Sequence, residues 1–152
     1  MLEIRTYLKV SGGLECYKNF EGFVHDPSYV EGSIEVAYQD KILVSRTVVD
    51  LVDQIWGYII NGIEEISQGR SYMGYYPDMP ARLSILLRKS CRIEFQVYDA
   101  RLNLDRNEFC RYVLGCGRDF FEKMIAINSS MSGVYENYIR KIDLLSNKFQ
   151  VR

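Results

Sequence analysis

The one histidine of the chain, His25, stands beside Asp26 and Pro27, the pairing that a general base oriented by a carboxylate would use. A base needs a group to activate, and no serine or cysteine lies in a nucleophile-elbow setting such as GxSxG. Sequence neighbours also tend to point their side chains apart, so His25 reads as a loop histidine and no catalytic residue is assigned. Four cysteines, Cys16, Cys91, Cys110 and Cys116, show no CxxC spacing. With a single histidine to join them they suggest neither a zinc site nor a disulfide framework, and free thiols are expected. Cys110 and Cys116 would lie about 240° apart around a helix at ~100° per residue, too far to share a metal. Neither GxxxxGK nor GxGxxG occurs, and Ser129-Ser130 and Gly115-Cys116-Gly117 resemble no phosphate-cradling loop. No metal and no cofactor are expected.

Recognition chemistry is better represented. Tyr72, Tyr75 and Tyr76 crowd next to Asp78 in RSYMGYYPDMPA, residues 70–81. Tyrosine gives a large contact area at low entropic cost and is enriched at interface hot spots. The competing use of these rings is to pack over a sheet edge, and the sequence leaves both open. Glu64 and Glu65 fall at the end of an apparent helix, where the macrodipole opposes acids by up to ~1 kcal/mol. They form either a solvated face or, with Asp26, part of an acidic recognition surface.

These side chains need a scaffold, and its centre is the stretch 47–69. Val48, Val52, Ile55, Ile59, Ile63 and Ile66 recur at helical spacing and make one apolar stripe. Thr47 followed by Asp50 resembles a capping box, and Gly69 suits the left-handed residue after a helix. Residues 2–10 alternate, with Leu2, Ile4, Thr6, Leu8 and Val10 on one side, and predict a half-buried strand. A short strand near 14–20, a long loop, and a hairpin of 34–38 with 41–46 follow. Pro77 and Pro80 keep residues 70–81 out of a helix. Residues 82–88 and 92–98 form a second hairpin turning at 89–91. A second helix starts at Asp105, with Glu108 three residues on, and runs to about Ile127. Gly115 and Gly117 inside it mark either a close approach to a neighbouring element or a break. A third helix carries Val134, Tyr135, Tyr138, Ile139, Ile142 and Leu145, ends near Asn147, and leaves a fraying tail.

This order predicts an α+β fold: one domain over 1–152, with an antiparallel sheet of about five strands and two or three helices packed on one face. The 47% hydrophobic and 26% charged composition is that of a soluble globular protein. No apolar run approaches the ~20 residues that span a bilayer, and no secretory leader is visible, so a cytoplasmic protein without membrane contact is expected. The net charge of −1 conceals an uneven distribution. Residues 1–80 hold 6 Lys or Arg against 12 Asp or Glu, and residues 81–152 hold 13 against 8. The halves either compensate one another or leave an acidic face suited to a basic partner. The basic half lacks a cluster of Lys and Arg interleaved with aromatics, so no nucleic-acid partner is expected.

In size, element order and the stretch GYYPDMPARLSILL, the chain resembles the small immunity proteins of bacterial polymorphic-toxin and contact-dependent inhibition systems. The resemblance implies a non-enzymatic protein that binds and blocks a cognate toxin, commonly a nuclease, through acidic and aromatic surface. Its near-neutral charge departs from that pattern. On this expectation the partner-binding residues are Asp26, Glu64, Glu65, Tyr72, Tyr75, Tyr76 and Asp78. The alternative is a small enzyme or small-molecule-binding domain with a pocket between sheet and helices, lined by His25, Asp26 and the tyrosines.

Overall fold

The computed structural model describes residues 1–149, and its fold is α+β, with three long helices and strands paired antiparallel throughout. The strands divide between two sheets, one of five strands and one of three. In the first sheet, β1 (Leu2–Val10) pairs with β2 (Gly13–Cys16) and with β3 (Glu31–Tyr38), and β3 also pairs with β4 (Lys41–Val44) and the two-residue β5 (Asp50–Leu51). The predicted alternation in β1 holds from Leu2 to Thr6, after which Tyr7 is buried along with Leu8 and Val10 is only half-buried. The second sheet is a meander of β6 (Arg82–Arg88), β7 (Arg92–Tyr98) and β8 (Ala100–Asp105).

The organising helix, α1 (Val52–Ser67), begins four residues later than its apolar stripe suggests. Asp50 and Leu51 pair with Gly32 and Glu31 of β3, and an Asp50 side-chain oxygen accepts the Leu51 amide at 2.6 Å. Asp50 therefore belongs to the sheet, Thr47 lies in an exposed turn, and the capping box is not formed. The other end follows expectation. Gly69 has φ 79°, its amide donates to the Ile66 carbonyl and that of Arg70 to the Glu65 carbonyl, a Schellman closure.

α1 is buried on several sides because it is shared. Trp56 Nε1 donates to Thr6 Oγ1 at 3.0 Å and joins the helix to the first sheet. Gly62 lets Ile85 of β6 and Tyr72 approach at its other end. The second helix, α2 (Arg106–Ile127), is continuous through both glycines and is capped by Asp105, which accepts the Glu108 amide at 2.9 Å. Gly117 serves the predicted close approach, since a Cβ there would meet Ile60 and Trp56, whereas one at Gly115 would meet nothing within 4 Å. A single 3₁₀ turn leads into α3 (Ser132–Lys148), and Phe149 beyond it is buried rather than frayed. The rest of the predicted fraying tail, 150–152, lies outside the described residues.

A buried polar chain ties these helices to the loop 20–30. Asn128 Nδ2 donates to the Pro27 carbonyl at 3.0 Å and to Tyr135 Oη at 2.8 Å, and that hydroxyl donates to Asp53 Oδ2 at 2.8 Å. The Val24 amide adds a bond to the Ile127 carbonyl at 2.9 Å. The loop is long but fixed at several points, which bears on what it can present.

Candidate functional site

The segment 70–81 runs along the outer edge of β6 instead of hanging free. Tyr72 exchanges backbone hydrogen bonds with Ile85, both at 2.8 Å, and the Leu83 amide donates to the Gly74 carbonyl at 3.0 Å. Residues 72–75 thus lend an extended backbone to a sheet edge, and both prolines fall in the bend 77–80 that follows. Pairing of this kind sends successive side chains to opposite sides, and the three tyrosines part company. Tyr72 packs beside Gly62 on α1, and burial pushes its phenol above the usual range. Tyr76 is 3% exposed, and its burial, with Asp50 nearby, raises its phenol strongly. Tyr75 remains 54% exposed, with the Arg82 guanidinium 5.2 Å from its ring centre. Of the three predicted recognition tyrosines, only Tyr75 is free to meet a partner by a largely exposed ring. Tyr76 is covered by the protein itself and acts as a support, its ring edge-on to Tyr98 at 6.3 Å.

Asp78 is anchored by its backbone. Its amide is 3.1 Å from both carboxylate oxygens of buried Asp50, so the residue that fails to cap α1 fixes this loop. The Asp78 carboxylate stays exposed and accepts Tyr29 Oη at 3.2 Å. That bond, ahead of the Asp78 charge, raises the Tyr29 phenol. Tyr29 belongs to the loop 20–30, so this contact joins two loops 49 positions apart in sequence.

Asp26 lies on the same side. Its Oδ1 accepts the Ser28 amide at 3.1 Å, an Asx turn that shapes the loop tip. With Phe20, Phe23, Val24, His25 and Tyr29 it lines a groove of about 610 Å³. Phe23, 76% exposed, is the most open aromatic in it. Past Asp78, a shallow cleft of about 460 Å³ is bounded by Met79, Pro80, Ala81, Tyr98 and Asp99. Groove, bridge and cleft form one strip of surface that alternates aromatic rings with Asp26, Asp78 and Asp99. Phe23, Tyr29 and Tyr98 belong to it and escaped sequence reasoning. Phe23 and Tyr29 are lone aromatics in an irregular loop, with no periodicity to expose them, and Tyr98 closes the predicted strand 92–98 on its outward side.

Glu64 and Glu65 are not part of this strip. Glu64 meets Lys141 of α3 at 3.2 Å, and Glu65 meets Arg70 at 2.6 Å, a bond that holds its carboxyl below the usual range. The opposition of the helix dipole to these acids is offset by the cations beside them. Ion pairs also settle how the two charged halves meet. Glu3, Glu31, Glu35 and Glu65 pair with Arg5, Lys9, Arg46 and Arg70 of their own half, and Lys141–Glu64 is the one cross-half pair among the described residues. Asp26 and Asp78 pair with no cation there.

His25 is exposed in the groove, and the only side-chain hydroxyls lining it besides Tyr29 come from Ser11. Tyr72, Tyr75 and Tyr76 do not line it, so the residues of the predicted small-molecule pocket are divided between places. Cys110 is buried, and burial pushes its thiol up to about 12, so it is held as a protonated thiol at neutral pH. Among the described residues, no group of three His, Cys, Asp or Glu is placed to hold a metal ion, and no helix is long and apolar enough to cross a membrane. Comparison of the chain with family models, with curated proteins and with solved structures finds no match.

Proposed function

We propose that the protein is a non-enzymatic binding protein whose ligand is another protein, and that this partner is a bacterial toxin which it captures and neutralises. The observation that carries the reading is the Tyr29–Asp78 contact, which makes one aromatic and acidic surface from two loops. Three properties of that surface suit docking. Its loops are pinned beforehand, by Asp50 on one side and by Asn128 on the other, so little ordering is required on binding. Its rings are rigid, amphipathic contact groups. Its carboxylates form no ion pair among the described residues and favour a basic face, such as the substrate channel of a nuclease.

The test is co-expression with, and capture of, the product of the toxin gene neighbouring its own. Capture at micromolar concentration, with rescue of the cell, is expected for the wild type, and loss of both for Phe23→Ala combined with Tyr29→Ala. Failure of the wild type to bind or protect would sink the proposal.

A small-molecule reading has one observation in its favour. A cleft of about 530 Å³, in the range of ligand sites, opens between the sheets, where Leu2 and Leu104 meet Phe109, Tyr38 and Tyr112. A metabolite that raises the melting temperature by several degrees, and loses the effect in Leu104→Arg, would favour this reading over toxin capture.

A further inference from the structure

The three-stranded sheet turns one face to the core and the other outward, and the outward face gathers arginines that lie far apart in sequence. The register sets Arg82 of β6 opposite Tyr98 of β7, and Gln96 of β7 opposite Arg101 of β8. Residues at alternate positions share a face, so Arg82 and Arg101 flank the central strand from its two sides. Their backbones are two strand spacings apart across the sheet and two residues apart along it, roughly 12 Å, within reach of two guanidinium groups converging on one ligand. Between them lies a cavity of about 120 Å³ lined by Arg82, Gln96, Tyr98, Asp99, Ala100 and Arg101, a size that holds one small ion or group.

The other two arginines of this face are committed: Arg88 to Glu94 at 2.9 Å, and Arg92 to the Asn103 side chain at 2.7 Å. Arg82 and Arg101 have neither an ion-pair partner nor a side-chain hydrogen bond among the described residues. Stacking on Tyr75 holds Arg82 in place. Tyr98, on the rim, has φ 54°, a left-handed backbone that a bulky residue rarely adopts. It shares this with Gln39, Asp40, Ser90 and Cys91, which also sit at hairpin turns, so the conformation belongs to the tight β7–β8 turn.

A planar carboxylate is satisfied by the fork of one arginine, whereas a tetrahedral phosphate accepts two forks from different sides. Asp99 is the one acid of the lining. It disfavours a bare anion and supplies an acceptor for a hydroxyl beside the phosphate. We propose that this cavity binds the phosphate group of a phosphate ester, held between Arg82 and Arg101. The inference does not rest on toxin capture, and its cavity shares Tyr98 and Asp99 with the docking strip.

The experiment is an NMR titration of the full chain with ribose 5-phosphate, following the arginine Nε–Hε signals, with ribose and glutamate as controls. The Arg82 and Arg101 signals are expected to shift with the phosphate ester and not with ribose. Arg101→Ala, at an exposed position that leaves the fold intact, should weaken the apparent affinity about tenfold, the loss of one charge-assisted contact. A short single-stranded RNA that binds more tightly than the sugar phosphate would identify a nucleic-acid backbone as the source, and one that binds equally or less tightly a free ester. Either supports the site. Unmoved signals at millimolar ester, an equal response to glutamate, or wild-type affinity in Arg101→Ala would overturn it.

Discussion

Gly32 has no room for a side chain, because a Cβ on it would collide with the Tyr7 carbonyl oxygen across the strand pair and with Val52 of α1. Backbone cannot step aside as a flexible side chain can, so Gly32→Ala should cost at least about 2–3 kcal/mol in urea denaturation. Gly115→Ala should instead be neutral or gain up to ~1 kcal/mol, since its site is open and helical. Nothing local distinguishes these glycines in the sequence. The difference is made by elements that arrive from elsewhere, which is also why the paired glycines of α2 could be read as a contact or a break but not assigned one each. Asp53 offers a second test at this scale. Burial, the largest influence on it, raises its pKa, against the pull of the Tyr135 hydroxyl and of nearby amides. The native state therefore keeps the proton to higher pH than the unfolded chain does. That contribution to stability is present at low pH, is lost as pH rises through the carboxylate range, and is flat above it. Asp53→Asn keeps an acceptor for Tyr135 and should remove this decline. Urea midpoints of the two proteins measured between about pH 4 and 7 should converge at the acid end, and parallel curves would contradict the assignment.

Among the elements, those whose signals are local were legible. The alternation of β1, the Asp105 cap of α2 and the Gly69 stop of α1 rest on residues within a few positions of one another. Two others were hidden. The start of α1 was displaced because Asp50 answers to β3 and to the Asp78 amide, partners 18 and 28 residues away. β8 was overlooked because its alternating Ala100, Leu102 and Leu104 follow β7 after a single residue and run directly into a helix cap, leaving no punctuation. The candidate site suffered more: the tyrosine cluster was visible, but which rings face out depends on the pairing of residues 72–75 with β6. Asp50→Ala should therefore act on the loop more than on the helix. Hydrogen exchange at the Asp78 amide is expected to accelerate at least tenfold, the loss of one charge-assisted bond, with exchange in the middle of α1 little changed. Gly69→Ala, forcing a side chain into the left-handed region, should cost about 1 kcal/mol in thermal or urea denaturation.

For the molecule as a whole, the docking strip and the arginine face sit on either side of Tyr98, so one surface carries both signs of charge at close range. Net charge near zero hides this, because the ion pairs fall mostly within each half and leave the remaining acids and bases segregated. Association with a basic partner should accordingly depend on salt. Asp78→Asn keeps an acceptor for Tyr29 while removing the charge, and is expected to slow association and flatten its salt dependence, with dissociation little altered. Surface plasmon resonance at several ionic strengths checks this, and an unchanged salt slope would remove Asp78 from the encounter surface.

The division of the strands between two sheets has a consequence in time. β6, β7 and β8 are joined by turns of three residues and one, whereas β1 reaches β3 across the twenty residues 11–30. Chain closure is faster for the nearer pairs, so the meander with α2 beside it should assemble before the larger sheet is complete. In stopped-flow experiments, Ile93→Val in β7 should mainly slow refolding, and Ile34→Val in β3 should mainly hasten unfolding. The helix that both sheets share would then be built upon from its Gly62 end, and the single indole of Trp56, stacked on Phe120 of α2 and bonded to Thr6 of β1, would report both the docking of α2 and the closing of the larger sheet.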